Sequence, residues 1–197
     1  SYDATLKVWD LHSGNAVRSL EGHTSFVTGV ALTADGCFAV SASYDATLKV
    51  WDLCSGTSVH SLEGHTDMVN GVAVTADGRF AVSASSDKTL KVWDLHSGKA
   101  VRSLEAHTDT VFGVVVTTDG RFAVSSSMDS TLKVWDLHSG KAVRSLEAHT
   151  ETVIGVAVTA DGRFAVSASS DATLKMWDLH SGNAVRSFER HTYSVTG

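Results

Sequence analysis

The heptapeptide Thr47-Leu48-Lys49-Val50-Trp51-Asp52-Leu53 constrains this chain most. Near-copies begin at Thr5, Thr89, Thr131 and Thr173 and place tryptophan at positions 9, 51, 93, 135 and 177, a fixed step of 42 residues. All five tryptophans of the chain lie in this element. A β-branched and aromatic run with period-two alternation reads as a strand, and its return at a step of this size marks a repeat architecture. Between successive tryptophans the first full copy carries three more strand-like runs, Val27–Thr33, Phe38–Ser43 and Thr57–Leu62. Asp35-Gly36, with its equivalents Asp77-Gly78, Asp119-Gly120 and Asp161-Gly162, supplies a tight hairpin turn, and Ser55-Gly56 supplies the next connection. The unit reads as a four-stranded antiparallel meander.

Along the tryptophan strand Leu48 and Val50 point to one face and Trp51 to the other, so a lone meander exposes two apolar faces and must pack against its own copies. Twisted sheets that cover one another face to face close radially. The expected fold is therefore all-β, a β-propeller of four-stranded antiparallel blades with four complete blades and partial terminal blades. The expected division is one domain over 1–197: a partial blade at 1–20, blades at about 24–62, 66–104, 108–146 and 150–188, and a first-strand stub at 192–197. Ser1 aligns with Ser43 and Gly197 with Gly29, so both end segments read as parts of a unit. The absence of proline and the dominance of Ser, Thr, Val and Gly agree with an all-β chain.

A formal net charge of −6 offers no broad basic footprint, so nucleic acid is not an expected partner. No run of about 18 apolar residues and no charged, apolar leader is present, so neither a membrane span nor a signal peptide is expected. Cys37 and Cys54 stand where the next repeat has Arg79 and His96, which reads as sporadic substitution rather than a disulfide framework and points to a cytoplasmic setting.

Gly22-His23 before the first strand, Asp45 in the turn after the second, and Trp51-Asp52 closing the third recur in phase over the whole chain. In these residues the chain resembles the WD-repeat propellers, and the near-identity of its copies resembles recently amplified bacterial arrays of such repeats, often the sensor portion of a larger signalling protein. It departs from the family in having Ala34, Ala76, Thr118 and Ala160 where proline is frequent, and Ala106, Ala148 and Arg190 where glycine precedes the histidine. The resemblance implies a hydrogen-bonded chain inside each blade: the Trp51 indole donates to Ser41 or Ser43, whose hydroxyl meets His23, which meets Asp45. The equivalent sets are His65, Ser83, Asp87 and Trp93; His107, Ser125, Asp129 and Trp135; and His149, Ser167, Asp171 and Trp177. A nucleophile, base and orienting acid would look similar, but a catalytic site is single and this set recurs in every blade. The expectation is no enzyme, no catalytic residue and no cofactor. Five of the ten histidines belong to this pattern. His12, His96, His138 and His180 lie one per repeat before Ser-Gly, and His60 stands alone, so no metal site is expected.

The copies disagree at a few positions. Position 26 and its equivalents read Phe26, Met68, Thr110, Thr152 and Ser194; position 28 reads Thr28, Asn70, Phe112, Ile154 and Thr196; position 44 reads Tyr2, Tyr44, Ser86, Met128 and Ser170. These sites flank the first-strand entrance and the turn between second and third strands, which antiparallel geometry places at one end of the blade. Apolar residues gathered on a loop face suggest a surface that binds a protein or peptide; drift at positions indifferent to packing is the alternative. Partial units at both ends lead to the expectation of a homo-oligomer, a two-chain ring of about eight to ten blades. The rival functional reading is an engineered or excised repeat fragment whose only activity is such self-assembly.

Overall fold

A computed structural model of the chain describes residues 1–189 and 194–195. Its eighteen strands form one two-stranded and four four-stranded sheets, all antiparallel, and no helix occurs among the described residues. β1 (Thr5–Trp9) and β2 (Ala16–Glu21) pair with each other alone. The first complete sheet holds β3 (Val27–Leu32), β4 (Phe38–Ser43), β5 (Leu48–Asp52) and β6 (Thr57–Leu62) in that order. The second holds β7 (Val69–Val74), β8 (Phe80–Ser85), β9 (Thr89–Asp94) and β10 (Lys99–Glu105); the third holds β11 (Val111–Val116), β12 (Phe122–Ser127), β13 (Thr131–Asp136) and β14 (Lys141–Glu147). The fourth holds β15 (Val153–Val158), β16 (Phe164–Ser169), β17 (Leu174–Asp178) and β18 (Ala184–Phe188). The expected blades are all present, and the outer strands of the second and third run one residue further, to Glu105 and Glu147. Of the expected stub, Thr192, Tyr193, Thr196 and Gly197 lie outside the described residues; Ser194 and Val195 form no strand, although the Val195 N–H donates to the Ser169 carbonyl at 3.1 Å.

The two apolar faces of each meander are consumed by its neighbours. Val40, Ala42, Leu48, Val50 and Leu62 on one face of the first sheet pack against Val69, Ala81 and Trp93 of the second. The same pairing repeats from second to third around Trp135 and from third to fourth around Trp177, and the two-stranded sheet covers Trp51 with Leu6, Val8 and Leu20. Trp51, Trp93, Trp135 and Trp177 are each only 1% exposed. Burial of a large aromatic side chain contributes on the order of 3 kcal/mol, which makes these seams the main source of cohesion between sheets. At the two outermost sheets the seam lacks a partner among the described residues: Trp9 is 55% exposed, and Phe188, which occupies the place of the buried Leu62, Leu104 and Leu146, is 42% exposed.

First strands of successive sheets approach one another closely. A Cβ added at Gly71 would meet the Phe112 carbonyl oxygen at 3.2 Å and one at Gly113 the Ser126 hydroxyl at 3.0 Å, so at these two places the glycine is a packing requirement, whereas at Gly29 the nearest atom lies at an ordinary 3.7 Å. The turn after the second strand carries a feature that the sequence conceals. Ala4, Ala46, Lys88, Ser130 and Ala172 all have φ between 60 and 71° although none is glycine. The Asp45 carboxylate holds that turn by accepting bonds from the Thr47 N–H at 3.0 Å and the Thr47 hydroxyl at 2.6 Å.

One buried polar atom has no partner among the described residues, the hydroxyl of Ser126. The other complete sheets carry Ala42, Ala84 and Ala168 at this place, all buried. An unsatisfied buried hydroxyl costs about 1–3 kcal/mol. Ser126→Ala should therefore raise unfolding free energy by about 1 kcal/mol, measured by urea denaturation; an unchanged or lowered midpoint would show that the hydroxyl is satisfied in solution.

Candidate functional site

Each complete sheet contains the expected polar chain. In the first, the Trp51 indole N–H donates to the Ser41 hydroxyl at 2.8 Å, Ser41 lies 2.7 Å from His23 Nε2, and His23 Nδ1 lies 2.8 Å from Asp45. The choice between Ser41 and Ser43 is thereby decided: Ser43 instead donates to the Ser25 carbonyl and accepts the Asp45 N–H, fixing the turn. His65, Ser83, Asp87 and Trp93 repeat the arrangement, as do His107, Ser125, Asp129 and Trp135, and His149, Ser167, Asp171 and Trp177. A single proton assignment satisfies every member. Neutral histidine donates from Nδ1 to the carboxylate and accepts the serine O–H at Nε2, leaving the serine oxygen to accept the indole N–H. The serine hydroxyl is thus engaged at both its proton and its lone pair.

Burial, opposed by the bond to Asp45, lowers the pKa of His23, and the same holds for His65, His107 and His149 with their own aspartates. Burial acts to raise the Asp45 carboxyl, but the bonds from Thr47, Thr24 and His23 outweigh it and hold it at about 2. Both shifts have the same consequence on acidification. The unfolded chain takes up protons on histidine below about pH 6.5 that the folded chain refuses, and it takes up protons on aspartate below about pH 4 before the folded carboxylates do. Stability should therefore be highest above pH 6.5 and fall as pH drops, first through the histidine window and again from about pH 4 toward 2. Urea midpoints at several pH values check this, and a maximum near pH 5 would contradict it.

Directly above these chains lies the loop face. In each complete sheet the residue after the second strand is tied to the first-strand entrance: the Tyr44 N–H donates to the Phe26 carbonyl, Ser86 to Met68, Met128 to Thr110 and Ser170 to Thr152, all at 2.9 Å. Positions 28, 70, 112 and 154 are bulges, skipped in the pairing of first with second strand. A bulge leaves one residue unpaired and re-aims its side chain. Two of these residues clasp the next sheet: the Thr28 hydroxyl donates to the Val69 carbonyl at 2.7 Å, and the Asn70 amide to that of Val111 at 2.9 Å. Phe112 and Ile154 bring apolar side chains to the same place.

A cavity of about 470 Å³ opens there, lined by Tyr2, Phe26, Thr28, Tyr44, Asn70, Phe112 and Ile154 together with Ser1 and Val27. Tyr2 and Phe26 meet edge to face with centroids 4.8 Å apart, and Phe26 and Tyr44 lie 5.8 Å apart. The remaining variable positions, Met68, Ser86, Thr110, Met128, Thr152 and Ser170, stand at the rim turns and do not line the cavity; Met68 and Met128 are exposed. The face also carries a bridge that the repeat comparison passed over, from the Lys88 ammonium to the Thr108 carbonyl at 3.1 Å.

On the opposite side, each seam between sheets opens a crevice that sequence reasoning missed. The crevice between second and third sheets is lined by Arg79, Arg102, Arg121 and His138, and that between third and fourth by Arg121, Arg144, Arg163 and His180. Arginines of one sheet reach the turn of the next: Arg144 donates to the Leu179 carbonyl at 3.1 Å, and Arg18 to the carbonyls of Cys54 and Ser55. The recurring arginine in the outer strand, replaced by His60 in one copy, was the available signal.

The WD domain, G-beta repeat family matches residues 14–52, 56–94, 98–136 and 140–178. Among curated proteins, the nuclear distribution protein PAC1 of Arthroderma otae is 46% identical over 41 residues, 21% of this chain and 9% of that protein. The Lissencephaly-1 homolog of Monosiga brevicollis is 50% identical over 36 residues, 18% of this chain and 9% of that protein. The nuclear distribution protein PAC1-2 of Uncinocarpus reesii is 45% identical over 42 residues, again 21% and 9%. These likenesses span one repeat's length, a small part of either partner, whereas the family match covers four successive units. With four family matches laid over four four-stranded antiparallel sheets, each with its own buried tryptophan chain, this protein belongs to the WD domain, G-beta repeat family.

Proposed function

We propose that this protein is a non-catalytic scaffold or sensor that binds a protein or peptide segment on the loop face. The observation that carries this reading is the meeting of seven variable positions in one cavity of about 470 Å³, while the surrounding text is nearly the same in every copy. That volume lies within the roughly 300–1,000 Å³ typical of ligand sites, and the lining combines aromatic walls with the polar groups of Thr28 and Asn70, as recognition sites do. The serine, histidine and aspartate beneath the cavity are engaged with one another and support a structural rather than a catalytic role. Near-identical copies suit a recently amplified array with a signalling role, and two free cysteines suit a cytoplasmic setting.

Replacing Phe26, Tyr44, Met68 and Phe112 together by serine should leave unfolding free energy within about 2 kcal/mol, because three of the four are exposed and the fourth half-buried. Peptides selected from a displayed random library against the native chain should lose binding to this variant. Equal binding to both would sink the reading, and unfolding of the variant would show that these residues belong to the core.

Assembly with a second copy is a further reading favoured by the uncovered seams. Trp9, Leu174, Met176 and Phe188 occupy places that are buried inside the chain wherever a neighbouring sheet is present, and a two-chain ring of about eight to ten blades would cover them. Light scattering should then report twice the 20.8 kDa chain mass, reduced to a single chain by Trp9→Ser. A single-chain mass that persists at high concentration would remove assembly from the account without touching the loop-face reading.

A further inference from the structure

Cys37 and Cys54 each interrupt a position that is otherwise constant across the complete sheets, and both interruptions fall in the same sheet. The place of Cys37 is held elsewhere by Arg79, Arg121 and Arg163, and the place of Cys54 by His96, His138 and His180. At each of the three seams between complete sheets, the arginine and the histidine of the following sheet line one crevice: Arg79 with His96, Arg121 with His138, and Arg163 with His180. Cys37 and Cys54 hold the equivalent places at the seam with the two-stranded sheet. Their backbones are joined in the same way: Phe38 pairs with Asp52, and the Leu53 N–H donates to the Cys37 carbonyl at 2.9 Å, one residue short of Cys54. Both cysteines are free and exposed. Directly opposed cross-strand residues lie about 5.5 Å apart at Cα, and Cys54 stands one residue beyond Leu53, the residue that faces Cys37; a disulfide spans Cα separations of roughly 4.4–6.8 Å, so closure requires the exposed turn that carries Cys54 to move toward Cys37.

We propose that Cys37 and Cys54 form a thiol–disulfide site, closed to an intrachain bond by a small-molecule disulfide of the oxidised glutathione class. The thiolate of one cysteine attacks a sulfur of the small disulfide and expels one small thiolate, leaving a mixed disulfide on the protein. The thiolate of the other cysteine then attacks the protein-side sulfur and expels the second. Two electrons pass from the cysteine pair to the small disulfide, and the two thiol protons leave with the two small thiols released. The Asp35 carboxylate beside Cys37 pushes its thiol up and keeps it protonated at neutral pH, so closure accelerates as pH rises. The Cys54 carbonyl is an acceptor for Arg18, so closure also fixes the turn on which the two-stranded sheet leans.

The test incubates the full chain at low concentration with reduced and oxidised glutathione in varied ratio, followed by acid quenching, thiol counting and intact mass. The expected result is concerted loss of both thiols with a mass lower by two hydrogens, faster at pH 8.5 than at pH 7, together with a raised urea midpoint that reductant reverses. Cys37→Arg and Cys54→His restore the residues of the other sheets and so preserve the fold; each should retain a single glutathione adduct and show no intrachain closure. Persistent glutathione adducts on both cysteines of the native chain, bonds only between chains, or two free thiols at every ratio would each overturn the proposal.

Discussion

Everything in this structure depends on burying an indole without stranding its N–H. The tryptophan is the largest side chain in each seam, and its ring is worth most when fully withdrawn from water, yet the one polar atom it carries would then cost nearly as much as the ring gains. Ser41, His23 and Asp45 resolve the conflict by passing the requirement outward until it reaches a carboxylate at the edge of solvent. The chain of bonds links the third strand to the second, then to the segment before the first strand, and finally to the turn that precedes the third. One polar relay thus fixes the relative position of three parts of the sheet, while the apolar faces on either side remain free to pack.

Because the relay is spent on architecture, diversity is confined to where it has no hold. The bulged position at the first strand lies beyond both the relay and the ladder, so threonine, asparagine, phenylalanine and isoleucine all stand there in the same backbone. Two of these still serve cohesion by clasping the next sheet, and two turn apolar surface toward the cavity. Stability and variability meet in adjacent residues without competing.

Most of the fold was legible in the sequence, since a strand pattern repeated at a constant step states both the element and its need for neighbours. The relay was legible through the phase of its four residues; only the serine was open, and the competing role of Ser43 as a turn anchor settled it. The loop face was legible as a set of disagreements, but its division into cavity and rim was not. Four of the seven variable positions that line the cavity, Thr28, Asn70, Phe112 and Ile154, stand at bulges, and a bulge is a property of two paired strands rather than of either sequence. The left-handed residue after Asp45 was equally hidden, because Ala46 and Lys88 give no sign of the conformation that the neighbouring aspartate imposes.

The seams between sheets have a consequence for how the chain reaches its structure. All four join the same kinds of residue in the same order, and each is formed between segments adjacent in sequence. Because each sheet meets only its neighbours, folding can start at any sheet and spread from there to the next. The same interchangeability leaves little to distinguish a sheet from its second neighbour or from a sheet on another chain during folding, so skipped and exchanged pairings are the characteristic kinetic traps of this sequence. Met176 and Phe188, which replace the valine and leucine found at the other seams, make the last sheet the one whose face differs in shape, and hence the one place where the order of assembly is written into the packing itself.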